Sequence, residues 1–313
     1  MITLDKALDL FLMDQELRGN TKKTIFNYER FITYFINFTG SDKLVSDIEL
    51  MDLKKYQLFL NNKDKEYNFD TDKTGKLSKT TIQSYIRQLR SFLNWLYEES
   101  YIDFDLTKKF KLPKAPKKIP LILSEEEIEV LYNSINDKTE FGLRNKCIIS
   151  LMLDSGLRRD EAISLDVQNV MFTQNLIKIT GKGEKDRIVP LGLYTKKLIY
   201  KYLNGYRPMP DYPTDRIFLS SNKTPVSEDA VKMFMYRLKK KTGIKRLKPH
   251  LLRHTFATRY LMNGGDAFSL QIILGHTSLE MTRKYSHLAS AYTVKNFKKL
   301  STLDKLKGRN VKL

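Results

Sequence analysis

Cysteine is almost missing from this chain: its 313 residues hold one, Cys147. A lone thiol makes no internal disulfide, so stability must come from a core, and the shortage fits a reducing compartment. No apolar run reaches the length of about eighteen residues that a membrane-spanning helix needs. The first residues, Met1-Ile2-Thr3-Leu4-Asp5, lack the basic start and apolar stretch of a secretory signal. A cytoplasmic location and no membrane partner are therefore expected. Histidine is also scarce: His250, His254, His276 and His287 are the four, all between Pro249 and Leu288. HExxH and CxxC spacings are lacking, and no acid repeats at ligand spacing, so no metal is expected. GxxxxGK(S/T) is lacking too, and Gly181-Lys182-Gly183 is too short to cradle phosphates, so no nucleotide cofactor is expected. Acids are few beside bases, 36 against 55, which leaves a formal charge of +19. That surplus favours a polyanion, because each neutralised phosphate releases condensed counterions. A merely basic soluble protein, a ribosome-like one, or one that meets acidic lipid would share it.

What is present reads as a folded protein in two parts, with 41% hydrophobic residues. Leu4, Leu8, Phe11 and Leu12 recur at helical spacing. So do Ile25, Tyr28, Ile32, Phe35 and Ile36 after the polar break Arg18-Gly19-Asn20-Thr21. A third helix carries Leu53, Tyr56, Phe59 and Leu60, and a fourth carries Ile82, Ile86, Leu89, Phe92, Leu93 and Leu96. Between these two, Asn61 to Lys76 is polar and glycine-containing and reads as a surface loop. Residues 1–106 thus form a small helical bundle. Composition then shifts. From Thr107 to Pro120 the chain reads TKKFKLPKAPKKIP, with six lysines, three prolines and no acid. Proline removes a backbone donor and biases its predecessor to extended geometry, so 107–120 reads as an extended basic connector. Its lysines, Lys108, Lys109, Lys111, Lys114, Lys117 and Lys118, are candidates to lie along a phosphate backbone; a plain solvated linker would look the same.

Residues 121–313 read as a second, larger domain. Ser124 and Glu127 have capping-box spacing at a helix start. A buried helix runs from about Leu143 to Leu153 and ends near Gly156. Leu176 to Ile179 and Ile188 to Leu191 look like short strands, as does Ile217-Phe218-Leu219, which precedes a helix starting near Ser227. The remainder reads as helix. The expected fold class is mainly α with a small antiparallel β-sheet.

Three features crowd one stretch of this domain. His250 and Arg253 stand at i, i+3 in Pro249-His250-Leu251-Leu252-Arg253-His254. Leu274-Gly275-His276 sets a histidine after a glycine break, and Tyr285 follows in Thr282-Arg283-Lys284-Tyr285-Ser286-His287. With Gly156-Leu157-Arg158-Arg159-Asp160-Glu161 and Gly181-Lys182-Gly183-Glu184-Lys185-Asp186-Arg187 upstream, the order and spacing resemble the tyrosine recombinase and integrase family. In that resemblance these segments match the first arginine box, the β-hairpin lysine, the HxxR box, the third histidine and the nucleophile. Asn20-Thr21-x-x-Thr24-x-x-x-Tyr28 and Leu77-Ser78-x-x-Thr81-Ile82 resemble the family's helical core-binding domain, so nearly the whole chain is covered.

The resemblance implies an Xer-like, two-domain site-specific recombinase. A SAM-like core-binding domain and an α+β catalytic domain would clamp duplex DNA. Tyr285 would form a 3′-phosphotyrosyl link, with exchange through a Holliday junction, as in chromosome-dimer resolution or the integration and excision of a mobile element. No cofactor is implied, because the tyrosyl link conserves the energy of the broken bond. The partners implied are double-stranded DNA and a homo-tetramer, or pairing with a related recombinase, with the lysine-rich tail after Leu288 docking on a neighbour. Elementary chemistry agrees on roles. Arg158 and Arg253 suit the non-bridging oxygens and the extra charge of the transition state. A tyrosine hydroxyl titrates near 10 and needs a base, for which His250 is the better candidate. His276 suits a hydrogen bond to a phosphoryl oxygen, Lys182 protonation of the leaving 5′ oxygen, and Glu161 the orientation of side chains. Arg159 in place of Arg158, and Lys185 in place of Lys182, are the competing choices. His254 is expected to point elsewhere in a structural role, and His287 has no assigned role. A type IB topoisomerase, a non-catalytic DNA-binding protein and a metal-dependent nuclease are the rival functions.

Overall fold

A computed structural model describes residues 2–65, 75–114, 121–180, 186–276, 278–280, 282–283 and 285. The chain divides into two compact units, Met1–Lys118 and Ile119–Leu313. Among the described residues twelve α-helices and one three-stranded sheet form, which is the mainly α class with a small antiparallel sheet. No described helix is long and apolar enough to cross a membrane.

The first unit is built from α1 (Leu4–Leu17), α2 (Lys22–Thr39), α3 (Leu50–Asn62), α4 (Lys79–Glu98) and the single turn α5 (Leu106–Lys109). The family-like threonine and serine motifs are helix caps. Thr21 accepts from the Thr24 amide at the start of α2, and Ser78 from the Thr81 amide at the start of α4, satisfying donors that a helix N-terminus leaves open. The apolar faces meet around Phe11, whose ring lies edge-on to Tyr28 at 5.0 Å and to Phe92 at 5.4 Å. The polar segment after α3 begins with its ends pinned. Asp64 and Lys76 form an antiparallel bridge, with Lys65 N–H on Gly75 C=O at 3.0 Å and Leu77 N–H on Lys63 C=O at 3.0 Å.

The connector differs from expectation. Its first residues form α5, because Asp105 accepts from the Thr107 amide and hydroxyl and caps a turn that lies ahead of Pro113. Thr107 and Phe110 are buried, Arg90 donates to the carbonyls of both, and Gln83 donates to Pro113 C=O at 3.2 Å. The chain from 107 to 113 is therefore docked on the first unit. Lys108, Lys109, Lys111 and Lys114 remain exposed; Lys117 and Lys118 lie outside the described residues.

The second unit comprises α6 (Glu125–Asn133), α7 (Glu140–Asp154), α8 (Arg159–Ile163), β1 (Val170–Met171), β2 (Leu176–Thr180), β3 (Asp186–Pro190), α9 (Leu193–Gly205), α10 (Glu228–Thr242), α11 (Pro249–Met262) and α12 (Ala267–Leu274). The Ser124 capping box forms with both of its bonds: Glu127 N–H donates to Ser124 Oγ at 3.2 Å, and Ser124 N–H donates to the Glu127 carboxylate at 2.9 Å. Helix α7 is buried from Leu143 to Met152 and packs against α9 and α11. Its polar members are paired: Arg144 donates to Leu219 C=O at 2.6 Å and Lys146 to Asp137 at 2.9 Å. The sheet runs β1-β2-β3, all antiparallel, with Ile177 opposite Val189 and Ile179 opposite Arg187. Ile177, Ile179 and Val189 face the core; Lys178 and Ile188 face out. Ile217-Phe218-Leu219, expected as a strand, is instead a buried segment held by the isolated bridges Asp166–Arg216 and Leu219–Pro225. Its apolar run reflects burial rather than sheet pairing.

The turn after α7 has no room to spare. Gly156 sits at φ +67°, and a Cβ there would stand 2.4 Å from the Phe256 ring. Gly243, at φ +72°, has open space around it. Gly156→Ala should lower unfolding free energy by about 3 kcal/mol, and Gly243→Ala by about 1 kcal/mol from backbone strain alone. Urea denaturation of the two variants beside the parent checks the difference.

Candidate active site

The site grows from one carboxylate. Glu161 lies in the first turn of α8, three residues after Arg158, which is the N-cap. Its side chain is 11% exposed. It accepts from the Arg158 backbone N–H at 2.7 Å and from the Arg158 guanidinium at 2.7 Å. Arg187, facing inward from β3, grips it with two nitrogens, at 3.0 and 2.7 Å. Arg253 approaches to 3.9 Å. Burial pushes the carboxyl up, but the bonds from Arg187 and Arg158 outweigh it and bring the pKa down to about 2. Three guanidiniums around one carboxylate leave a surplus of 3 − 1 = +2.

The surplus is aimed by backbone carbonyls. Buried Arg253, from α11, donates to Gly156 C=O at 2.5 Å and to Leu274 C=O at 2.6 Å, the carbonyls where α7 and α12 end. Burial lowers its pKa to about 10, and neighbouring Arg158 acts the same way. The Arg158 side chain is 40% exposed and also reaches Gly275 C=O at 3.4 Å. Arg159, the competing choice, turns away to Asp160 and Glu228. Gly275 closes α12 at φ +59°, and a Cβ there would crowd Arg187 at 3.1 Å. Arg187 also donates to Ile273 C=O at 2.9 Å. The first arginine box, β3 and the Leu274-Gly275-His276 turn are thus tied together by one side chain.

Past that turn, His276 is buried and its Nδ1 shares a hydrogen bond with Thr282 Oγ1 at 3.0 Å. Tyr285 is 1% exposed. Its ring lies 6.5 Å from that of His276 and 5.6 Å from that of His254. His254 stands in hydrogen-bond reach of the Tyr285 hydroxyl, with Nδ1 at 2.7 Å. This corrects the expectation that His254 points elsewhere. One residue beyond Arg253, it is also four beyond His250, so it stands one turn up the same face, with the two rings 6.4 Å apart. His250 itself stands at the surface, where partial desolvation by its neighbours and then the Arg253 charge lower its pKa. Burial raises the Tyr285 hydroxyl to about 12, against the opposing pull of Arg253.

The structure therefore brings Arg158, Glu161, Arg253, His276 and Tyr285 into one neighbourhood, with His250 at its exposed edge. Lys182 and Lys185 lie outside the described residues, as does His287. Sequence reasoning missed Arg187, His254 and Thr282. A buried Glu161 needs cations, and an arginine on the inward side of β3 was the available signal for the first. Among the described residues no group of His, Cys, Asp and Glu gathers as a metal cage.

The Glu161 cluster has a titration signature. Its folded pKa lies below the ordinary carboxyl value of 4.5, so its stabilisation is complete above about pH 4.5 and is lost as pH falls through about 2. Glu161→Gln should flatten the acid side of the stability profile between those values, by on the order of 3 kcal/mol. Denaturation midpoints at a series of pH values read this directly.

Comparison with known proteins agrees with the geometry. Residues 122–291 match the phage integrase family, and residues 10–112 match the phage integrase SAM-like domain. The tyrosine recombinase XerD of Halalkalibacterium halodurans is 31% identical, over 92% of this chain and 95% of its own. The tyrosine recombinase XerD of Listeria innocua is 29% identical, over 91% and 93%. Among solved structures, the Tn1549 transposon integrase in complex with a circular intermediate DNA superposes with a TM-score of 0.72. It is 21% identical and covers 89% of this chain and 94% of that one, a likeness of fold. A catalytic-domain match across more than half of the chain, a second match in the helical unit, and relatives aligned nearly end to end establish that this chain belongs to the phage integrase family and is a tyrosine recombinase, an enzyme of DNA breakage and rejoining.

Proposed function

We propose that Tyr285 is the nucleophile of a site-specific recombination reaction on duplex DNA. The observation that carries this reading is the position of its hydroxyl, 2.7 Å from His254 and subject to the Arg253 charge beside the arginine cluster. A phenol raised to about 12 does not attack unaided near neutrality. Arg158 and Arg253 hold the scissile phosphate through its non-bridging oxygens, their +2 charge matched to a transition state more anionic than the diester. The Tyr285 oxygen bonds to phosphorus and the bond from phosphorus to the 5′ oxygen breaks. The phenolic proton passes to the histidine pair of α11, where His254 holds the hydroxyl at rest and His250 accepts in the DNA complex. Lys182 gives the leaving oxygen its proton. If Nδ1 of His276 accepts from Thr282, its Nε2 carries hydrogen and donates to a phosphoryl oxygen. Rejoining runs the same steps backwards with a different 5′ hydroxyl, so neither ATP nor metal enters.

The +19 charge and the exposed Lys108, Lys109, Lys111 and Lys114 support the connector as a backbone-binding strip. Exchange between two duplexes needs four cuts, which supports a homo-tetramer or a pairing with a related recombinase on two sites. The tail expected to link neighbours lies outside the described residues. Chromosome-dimer resolution and movement of a mobile element both use this chemistry.

Two measurements test the reading. Nicked suicide duplexes from genomic fragments of the source organism, in EDTA, should yield a protein–DNA adduct on denaturing gels that Tyr285→Phe reduces by at least about a thousandfold. An adduct that survives the substitution sinks the assignment; exchange between two labelled duplexes then separates recombination from relaxation. Duplex binding should weaken roughly a thousandfold between about 50 and about 200 mM salt, as for six or more phosphate contacts.

A further inference from the structure

Resting on that assignment of Tyr285, we propose that Arg187 is a positioning residue. It takes up the charge of Glu161, so that Arg158 and Arg253 keep theirs for phosphate.

The three arginines are not equivalent. Arg187 spends both terminal nitrogens on the two oxygens of Glu161, at 3.0 and 2.7 Å, and its Nε on Ile273 C=O at 2.9 Å. Its side chain is 9% exposed, so little of it faces a ligand. Arg158 gives Glu161 one guanidinium bond and is 40% exposed, with donors left over. Arg253 stays 3.9 Å away and is held by two carbonyls. By geometry, then, the pair that neutralises the carboxylate is Glu161–Arg187, in the bidentate fork that only arginine makes. Arg158 is oriented by Glu161 without being neutralised by it.

Removing Arg187 changes this balance. The surplus falls from +2 to 2 − 1 = +1. A buried carboxylate left with Arg158 as its one hydrogen-bonded guanidinium draws that group in, so Arg158 turns from phosphate to Glu161. The turn carrying His276 also loses its bond at Ile273 C=O. The defect should therefore depend on two things a merely structural role would not sense: the negative charge on the non-bridging oxygen, and the charge on residue 161.

The experiment uses the full chain and a nicked duplex that the wild-type protein has captured covalently from fragmented genomic DNA. The scissile group is made either as the phosphodiester or as the uncharged methylphosphonate. Adduct formation is timed for wild type, Arg187→Gln, Glu161→Gln and the double variant, with duplex binding and thermal melting as folding checks. On the diester, Arg187→Gln should slow cleavage on the order of a hundredfold, the loss typical of a missing transition-state charge contact. On the methylphosphonate it should lose less than about tenfold. Adding Glu161→Gln to Arg187→Gln should restore diester cleavage at least about tenfold, since a neutral side chain no longer claims Arg158. Equal losses on both substrates, or a double variant no better than Arg187→Gln, overturn the proposal. An adduct that still forms with Tyr285→Phe overturns instead the assignment of Tyr285 on which it rests. Should Arg187→Gln fail to fold, Arg187→Lys, which keeps the charge without the fork, goes through the same comparison. It should lose about tenfold on the diester and less than about threefold on the methylphosphonate, with equal losses again decisive against the proposal.

Discussion

Everything at this site leans on a carboxylate that water barely reaches. Removing an ion from solvent costs several kcal/mol unless its partners are already in place. The partners of Glu161 come from three separated stretches: Arg158 at the cap of its own helix, Arg187 on β3 and Arg253 on α11. None of these pairings is local except the first. The ion cluster is therefore a product of the finished fold, and it holds together segments that chain connectivity does not. The cations in turn depend on carbonyls at helix ends. Gly156, Leu274 and Gly275 supply oxygens to Arg253 and Arg158 where α7 and α12 stop, so two helix C-termini lend their partial negative charge to a positive site.

That arrangement needs a rigid support, and α7 provides one. A helix buried along ten successive residues has no face left for solvent, which suits the centre of a domain rather than its surface. α9 and α11 pack on it, and the Gly156 turn at its end leaves no space for a side chain against Phe256. Two residues past the end of this column, Gly156 C=O accepts from Arg253. Packing and electrostatics are therefore coupled: a shift in the apolar contact moves a carbonyl that fixes a charge.

Much of this was legible beforehand, for reasons that differ by residue. Helix starts could be read because capping is local; Ser124 and Glu127 declare their bond in four letters. The arginine boxes, the histidine after Gly275 and Tyr285 were singled out by a resemblance in order and spacing, and the fold brings Arg158, Arg253, His276 and Tyr285 into one neighbourhood while Arg159 turns to Asp160 and Glu228. Two partnerships were out of reach or overlooked. Arg187 meets Glu161 across 26 residues of chain, and no local rule pairs them. His254 was misjudged by following its sequence neighbour Arg253 rather than its helical neighbour His250. The connector misled through its prolines, which forbid helix where they stand but not one turn earlier, where Asp105 caps α5. Ile217-Phe218-Leu219 misled because a short apolar run signals burial before it signals strand.

The bridge between Asp64 and Lys76 carries a consequence for the first unit. Its two backbone bonds close the polar segment at the base, so the ends of that segment meet whatever its length. The entropy lost on closing a loop grows only with the logarithm of its length, about 0.6 kcal/mol for each doubling. A bundle whose α3 and α4 are joined this way tolerates residues added between them with little loss of stability. Length there is thermodynamically cheap, and the helices on either side are insulated from what is inserted.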